Sequence, residues 1–426
     1  MKCEELKAKI KYIDCEFLYC CSADEVSKYH KRFETIIDNF GKTFGNADDL
    51  RLFSAPGRTE IGGNHTDHQH GAVLAGSLNL DAIAAAKMNG TNTIRIQSEG
   101  YPMAEVSLSD LKACKEEYGK TAALIKGVAA KFAEMGYEIA GFDAYVMSDV
   151  LNGSGMSSSA AFEVLVGTIL NGLFAGGKVD DVEIAKIGQY AENVYFGKPC
   201  GLLDQMACSV GNMVAIDFAD NEKPIVEKID FDFNKSGHSL CIIDTGADHA
   251  NLTDEYAAIP QEMKMVAEFF GKEVLNDVSK SEFMGKIKEI RAKVKNDRAV
   301  LRAMHYLNET QIAKDEAKAL KNGDFEAFLK LVKQSGLSSY MYLQNVYASS
   351  MPKEQAVSLS LALCGEILGE RGAYRVHGGG FAGTIQAFVP NDMLEEFKTK
   401  TEEVLGEGMC NVLAVRPVGG TEIKIK

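Results

Sequence analysis

The chain has 426 residues, 46% of them hydrophobic and 25% charged. That composition excludes a mainly disordered chain, and the length exceeds what one core ordinarily takes, so two domains are expected. Lys+Arg 46 against Asp+Glu 60 gives a net charge of −14, which makes nucleic acid and anionic membrane surfaces poor candidates as partners.

The N-terminal MKCEELKAKIKYIDCEF mixes charged and apolar residues without the apolar core of a signal peptide. No run approaches the roughly 18 apolar residues of a membrane span, so none is expected. Residues 23–45 predict a helix, with Val26, Tyr29, Phe33, Ile36, Ile37 and Phe40 at helical spacing. Leu50–Ser54 predicts a short strand leading into a turn at Pro56–Gly57, followed by a glycine- and histidine-rich loop and an apolar run from Ala72 to Ala86. Thr93–Ser98 alternates as a strand, 120–136 as a helix, and Phe142–Met147 as a strand feeding a glycine-serine loop. Helices are expected over Ala160–Phe174 and about 180–196, and strands over Met213–Phe218 and Ser239–Asp244. Residues 253–349 read as helical and charged with a break at Lys321–Asp324. One more helix covers 354–369, and Thr384–Val389 is a final strand. Interleaved strands and helices make the class α/β or α+β. A polar turn near 220–235 marks the expected boundary between residues 1–228 and 229–426. Ten scattered cysteines with no C-x-x-C pair suit reduced thiols in a cytoplasmic protein.

Three glycine-rich stations carry the chemistry. Gly153-Ser154-Gly155-Met156-Ser157-Ser158-Ser159 lies between a strand and a helix. Its glycines admit a ligand close to the backbone, and its serines open a helix whose free N–H groups and dipole favour an anion. It is not a Walker A loop, because no G-K-[ST] follows. The second station, Ser54 to Gly71, sets Arg58, His65, Asp67, His68 and His70 among glycines. That pattern suits a hydroxyl-rich ligand better than a metal. The third, His377-Gly378 to Gly383, matches G-x-G-x-x-G in form, but a strand follows it, which argues against a dinucleotide fold. Asp204 follows a Pro–Gly turn, and Glu192 precedes it by twelve residues. Unaided, such an aspartate reads as a helix cap.

Together these motifs resemble the galactokinases of the GHMP kinase superfamily, which also holds homoserine, mevalonate and phosphomevalonate kinases. The resemblance runs from about residue 30 onward, through APGR…HTD…G at 55–71, GxGxSSSAA at 153–161, CGLLDQ at 200–205 and GGGFAG at 378–383. It implies an α+β fold of two domains, the second ferredoxin-like, with the active site in the cleft between them. It implies ATP and Mg²⁺ with a small sugar as partners, no obligate protein partner, and phosphorylation of the sugar's anomeric hydroxyl. Asp204 matches the catalytic base, and Arg58 the arginine that keeps it ionised. Asn64, His65, Asp67, Gly201 and Tyr256 match sugar-binding positions. Gly153 to Ser159 match the phosphate loop, and Ser158 and Glu192 the Mg²⁺ ligands.

The departures cluster at the sugar end. Asn64 stands where the family has Glu, Glu60 where it has Asn, Gly62 where it has Ile, His68 where Tyr is common and His377 where Thr is common; Leu151 replaces a proline. A neutral Asn64 would not repel a carboxylate, which leaves galacturonate open beside galactose, N-acetylgalactosamine and arabinose. A sugar sensor without catalysis is the competing class, although the serine loop and Asp204 are intact.

Overall fold

The computed structural model describes residues 3–45, 48–150, 155–220, 223–247 and 252–425. Gly153, Ser154 and Leu151 lie outside the described residues. The strands are β1 (Arg51–Gly62), β2 (Ala72–Met88), β3 (Thr93–Ser98), β4 (Ala104–Ser107), β5 (Phe142–Ser148), β6 (Met213–Asp217), β7 (Ile225–Ile229), β8 (His238–Asp244), β9 (Ala373–Val376), β10 (Thr384–Pro390), β11 (Cys410–Leu413) and β12 (Thr421–Ile423).

The first sheet runs β12-β1-β2-β5-β3-β4, with β6 added to β2 and β7 to β6. Its pairings are antiparallel except β3 with β5. Both central strands are buried over most of their length, because each face of the sheet is covered. One face carries the N-terminal helices, where Phe33, Ile36 and Phe40 pack on Leu52, Ile83 and Ala85. The other carries the helix Ser158–Leu170, whose Val164, Leu165, Ile169 and Leu170 are all buried. By length and apolarity the run Ser158–Ala175 could cross a membrane, contrary to the expectation that no stretch could; 67% of it is buried inside this fold, as a core helix would be.

The expected turn at Pro56–Gly57 is not a turn. The strand continues through it to Gly62, with register shifts at Pro56/Arg58 and Glu60/Gly62. The shifts are bulges, which re-aim the side chains that follow. Gly57 allows the crossing: a Cβ there would lie 3.0 Å from the Met156 carbonyl, so the serine loop can cross the strand closely only over glycine.

The second sheet is antiparallel in the order β11-β8-β10-β9. Counted within that unit the order is 4-1-3-2, the ferredoxin-like arrangement that the resemblance implies. The long connection from β8 to β9 is helical, as expected for 253–349, and includes the helices Thr253–Phe269, Asp297–Lys321 and Phe325–Ser338. The helix Asp297–Lys321 packs on β2 as well as on its own unit. After β11 the chain returns to the first sheet: Val415 bridges Leu78, and β12 pairs with β1 through Leu52↔Ile423. The expected division at 228/229 therefore leaves one strand of the first sheet on its far side.

Asp81 fixes this return. Fully buried on β2, its carboxylate is 3.0 Å from Arg416 Nη1, accepts from Tyr19 Oη at 3.0 Å, and also binds Arg32 and Ser54. Burial alone would push this carboxyl up; the two guanidiniums outweigh it and hold it below its usual value.

Candidate active site

The second bulge of β1, the turn after it, the start of the helix Leu203–Val210 and the glycine turn between β9 and β10 meet around a cavity of about 160 Å³. Glu60, His65, Asp67, Cys200, Gly201 and Asp204 line it, with Gly378 and Gly379 as the opposite wall. The close fit of the wall is visible at Gly201, where a Cβ would stand 1.9 Å from Asp67 Oδ2.

Asp204 lies in the first turn of its helix, two residues beyond the cap position, which Leu202 holds, and so is not the helix cap that it reads as unaided. Its Oδ1 accepts from Arg58 Nε at 2.7 Å, and its Oδ2 from Ser157 Oγ at 2.5 Å. Arg58 also donates to the Gly155 carbonyl, so one guanidinium links carboxylate and glycine loop. Burial pushes Asp204 up, but Arg58, the Ser157 hydroxyl and Lys198 outweigh it and hold the carboxyl below its ordinary value. Asp67 has no such basic partner bonded to it among the described residues. Burial raises it to about 6, against the pull of the His68 N–H at 2.9 Å and with the push of the Asp204 charge. Burial likewise raises Glu60 to about 7, tempered by Arg375, Arg58 and Asn64. Burial lowers His65 to about 4, so its ring is neutral, with Nε2 donating to Gly379 O at 3.0 Å.

A second cavity of about 500 Å³ adjoins the start of the helix Ser158–Leu170. Ser158 and Ser159 stand at its polar end, and Tyr101, Leu124, Phe162 and Phe196 supply apolar wall. Ser157 caps the helix in a left-handed conformation, φ 55°. Glu192 sits in a π-helical turn, Ala191–Phe196, that ends the helix begun at Asp181. Such turns recur at functional sites because they shift side chains off the helical register. The Glu192 carboxylate accepts from Lys198 Nζ at 3.0 Å, Gln205 Nε2 at 2.9 Å and Ser159 Oγ at 3.4 Å.

The structure thus brings His65, Asp67, Gly201 and Asp204 together around one cavity, with Arg58 and Ser157 bonded to Asp204, and sets Ser158 and Ser159 on the other, with Glu192 bonded to Ser159. Gly155 and Met156 hold the loop against β1. Two expected sugar contacts stand back. Asn64 is fully buried and does not line the cavity. Tyr256 packs behind Gly379 and donates to Gly380 O at 2.7 Å. Glu60 lines the cavity although the sequence marked it only as a departure; a carboxylate two residues from the arginine on an extended strand is the signal that was there to use. Gln205 and Lys198, which hold Glu192, were also missed.

Residues 123–212 match the model "GHMP kinases N terminal domain", and residues 38–88 match "Galactokinase galactose-binding signature". Curated galactokinases of Glaesserella parasuis and Bacillus subtilis are 29% and 28% identical over 367 and 372 residues, each covering 90% of the relative and 84% and 85% of this chain. The chain belongs to the GHMP kinases, on the galactokinase branch. The solved galactokinase of Lactococcus lactis complexed with galactose shares the fold at a TM-score of 0.77 and 24% identity, over 92% of this chain and 100% of that one. The mevalonate kinase of Methanococcus jannaschii shares it at 0.61 and 15%, over 85% and 98%. Within this GHMP kinase the first matched segment carries the serine loop, Glu192 and Asp204, and the second carries β1, the histidine turn and β2. The Arg58–Asp204 pair joins the two segments.

Proposed function

We propose that the protein transfers the terminal phosphoryl group of ATP to the anomeric 1-hydroxyl of galactose, giving galactose 1-phosphate and ADP. One observation carries the reading. Asp204, held ionised by Arg58, lines the polar cavity while also bonded to the first serine of the anion-favouring helix start. A hydroxyl bound in the cavity would face a carboxylate able to take its proton, with phosphate donors adjoining. Asp67 and His65 would recognise sugar hydroxyls; a ligand lacking one would leave buried polar groups unpaired, which discriminates strongly. Arg58 would meet the negative charge that shifts during transfer. The apolar cavity wall beside Ser158 would take the adenine, with Phe162, Phe196 and Tyr101 in place of any tryptophan.

The donors also fit Mg²⁺, a hard cation that takes one or two protein oxygens and completes its shell with phosphates and water. Glu192 would hold it with a hydroxyl of Ser158 or of Ser159, the serine within 3.4 Å of the carboxylate. When bound, the ion offsets phosphate charge. Nine described cysteines are free thiols, which supports a cytoplasmic setting.

ADP release with Mg·ATP across galactose, galacturonate, N-acetylgalactosamine, glucose, arabinose and mevalonate tests the reading. Galactose is expected to give by far the highest kcat/KM. No turnover with any of them would favour the sensor instead.

The titration of Asp67 gives a second expectation. Sugar kcat/KM should fall as pH drops through about 6, while kcat at saturating sugar persists lower, because Asp204 stays ionised. Unfolding does not account for such a limb at this group. Its pKa is higher folded than unfolded, so the folded protein gains stability from Asp67 as pH falls from about 6 toward 4. A sugar KM that stays flat down to pH 5 would remove Asp67 from sugar recognition.

A further inference from the structure

We infer that Glu60 selects the sugar, accepting a substrate hydroxyl on its free carboxyl oxygen and excluding a carboxylate there, and that Asn64 only positions it. The inference rests on the sugar kinase reading.

Asn64 has no capacity left for a ligand. Both its Nδ2 hydrogens are spent, on Glu60 Oε1 and Gly378 O, each at 2.7 Å. Its Oδ1 accepts from Asn345 Nδ2 at 2.8 Å and Ser339 Oγ at 3.4 Å. Four partners saturate a primary amide. Glu60 is the reverse case. Its Oε1 is shared by Asn64 and Arg375 Nη2, the latter at 3.3 Å, while its Oε2 has no partner among the described residues and the side chain lines the cavity. A carboxyl that is 7% exposed with one unpartnered oxygen toward a polar cavity is placed for a ligand hydroxyl.

The neighbouring departures support the same arrangement. The family pattern has Asn at position 60 and Glu at 64; this chain has the two exchanged and keeps them in contact. His377 takes a buried place behind the strand, bonded to Thr59 at 3.1 Å and Thr384 at 2.8 Å, with the Glu60 N–H at 3.4 Å. Gly62 leaves room that the buried Glu316 carboxyl fills: a Cβ would lie 1.8 Å from Glu316 Oε2. Glu60, Gly62, Asn64 and His377 are thus one repacked layer behind a single cavity wall. With Asp67 and Asp204 already in that cavity, Glu60 adds a third carboxylate above about pH 7, where it is ionised, and makes the cavity hostile to an acidic sugar there. Galacturonate, which a neutral Asn64 alone left open, is disfavoured.

The test combines wild-type binding with two variants. Galacturonate is expected not to compete with galactose in the wild type at concentrations well above the galactose KM; competition at comparable concentrations overturns the inference without any variant. Glu60→Gln is expected to raise the galactose KM about tenfold to a hundredfold, with kcat and the ATP KM near wild type. It should also let galacturonate compete. The double exchange Glu60→Asn with Asn64→Glu is expected to recover galactose affinity. A Glu60→Gln enzyme whose sugar KM and selectivity are unchanged, or whose kcat falls and ATP KM rises along with a loss of thermal stability, overturns it. A wild type inactive on every sugar refutes the kinase reading instead.

Discussion

Replacing Asp204 with asparagine is expected to lower kcat by about 10²- to 10⁴-fold while ATP affinity stays near wild type. The substitution keeps the side chain's shape but removes the proton acceptor. It also removes the charge that Arg58 faces at 2.7 Å, and Arg58 is 7% exposed. The guanidinium keeps its bond to the Gly155 carbonyl, so the loop should remain anchored to β1. The cavity proposed for the nucleotide is not lined by Asp204, which is why binding and turnover should separate. Kinetics with galactose and equilibrium titration with ATP measure the two independently. Near-normal turnover would take Asp204 out of the mechanism and leave positioning by the cavity and loop as the whole of catalysis.

The largest effect on stability is expected at Asp81. Asp81→Asn should cost about 3–5 kcal/mol, because it leaves buried guanidiniums facing a neutral amide. Arg416 and Asp81 are both fully buried, and Arg32 is nearly so. Breaking such a cluster from one side is far more harmful than replacing all of it with apolar groups. A lowered midpoint in denaturant-induced unfolding would register the loss. A midpoint within about 0.5 kcal/mol of wild type, the range of an ordinary surface change, would show that water or a shifted helix relieves the charges.

The strongly periodic helices were readable from sequence: Val26–Phe44 was expected over 23–45, and Thr121–Glu134 over 120–136. Their apolar spacing is a local property. The strand through Pro56–Gly57 was not readable. Pro and Gly mark turns locally, and only the pairing with β2 and the crossing loop make them a bulge. The short strands β4, β7, β9, β11 and β12 carry too few residues to set a period, and their partners lie far along the chain. His65, Asp67, Gly201 and Asp204, far apart in sequence, do meet at one cavity, because glycine and aspartate in those patterns answer to backbone geometry. Asn64 and Glu60 show the limit. Position in a signature says which loop a residue joins; whether its side chain faces the cavity depends on the bulge at Glu60/Gly62 and on Arg375, 315 residues away from Glu60 in the chain.

The return of residues 415–423 to the first sheet orders events during synthesis. β1 and β2 leave the ribosome early, yet the outer edge of β1 has no strand beside it until β12 is made. Asp81 waits equally long for Arg416. The ferredoxin-like unit is made before either contact forms, so the second unit can close first, and the first is sealed by β12. A stalled or clipped nascent chain would carry Arg58 and Asp204 with an open strand edge beside them, the kind of surface that pairs with other chains. Locking of the strand that bears Arg58 is thereby tied to synthesis of residues 415–423.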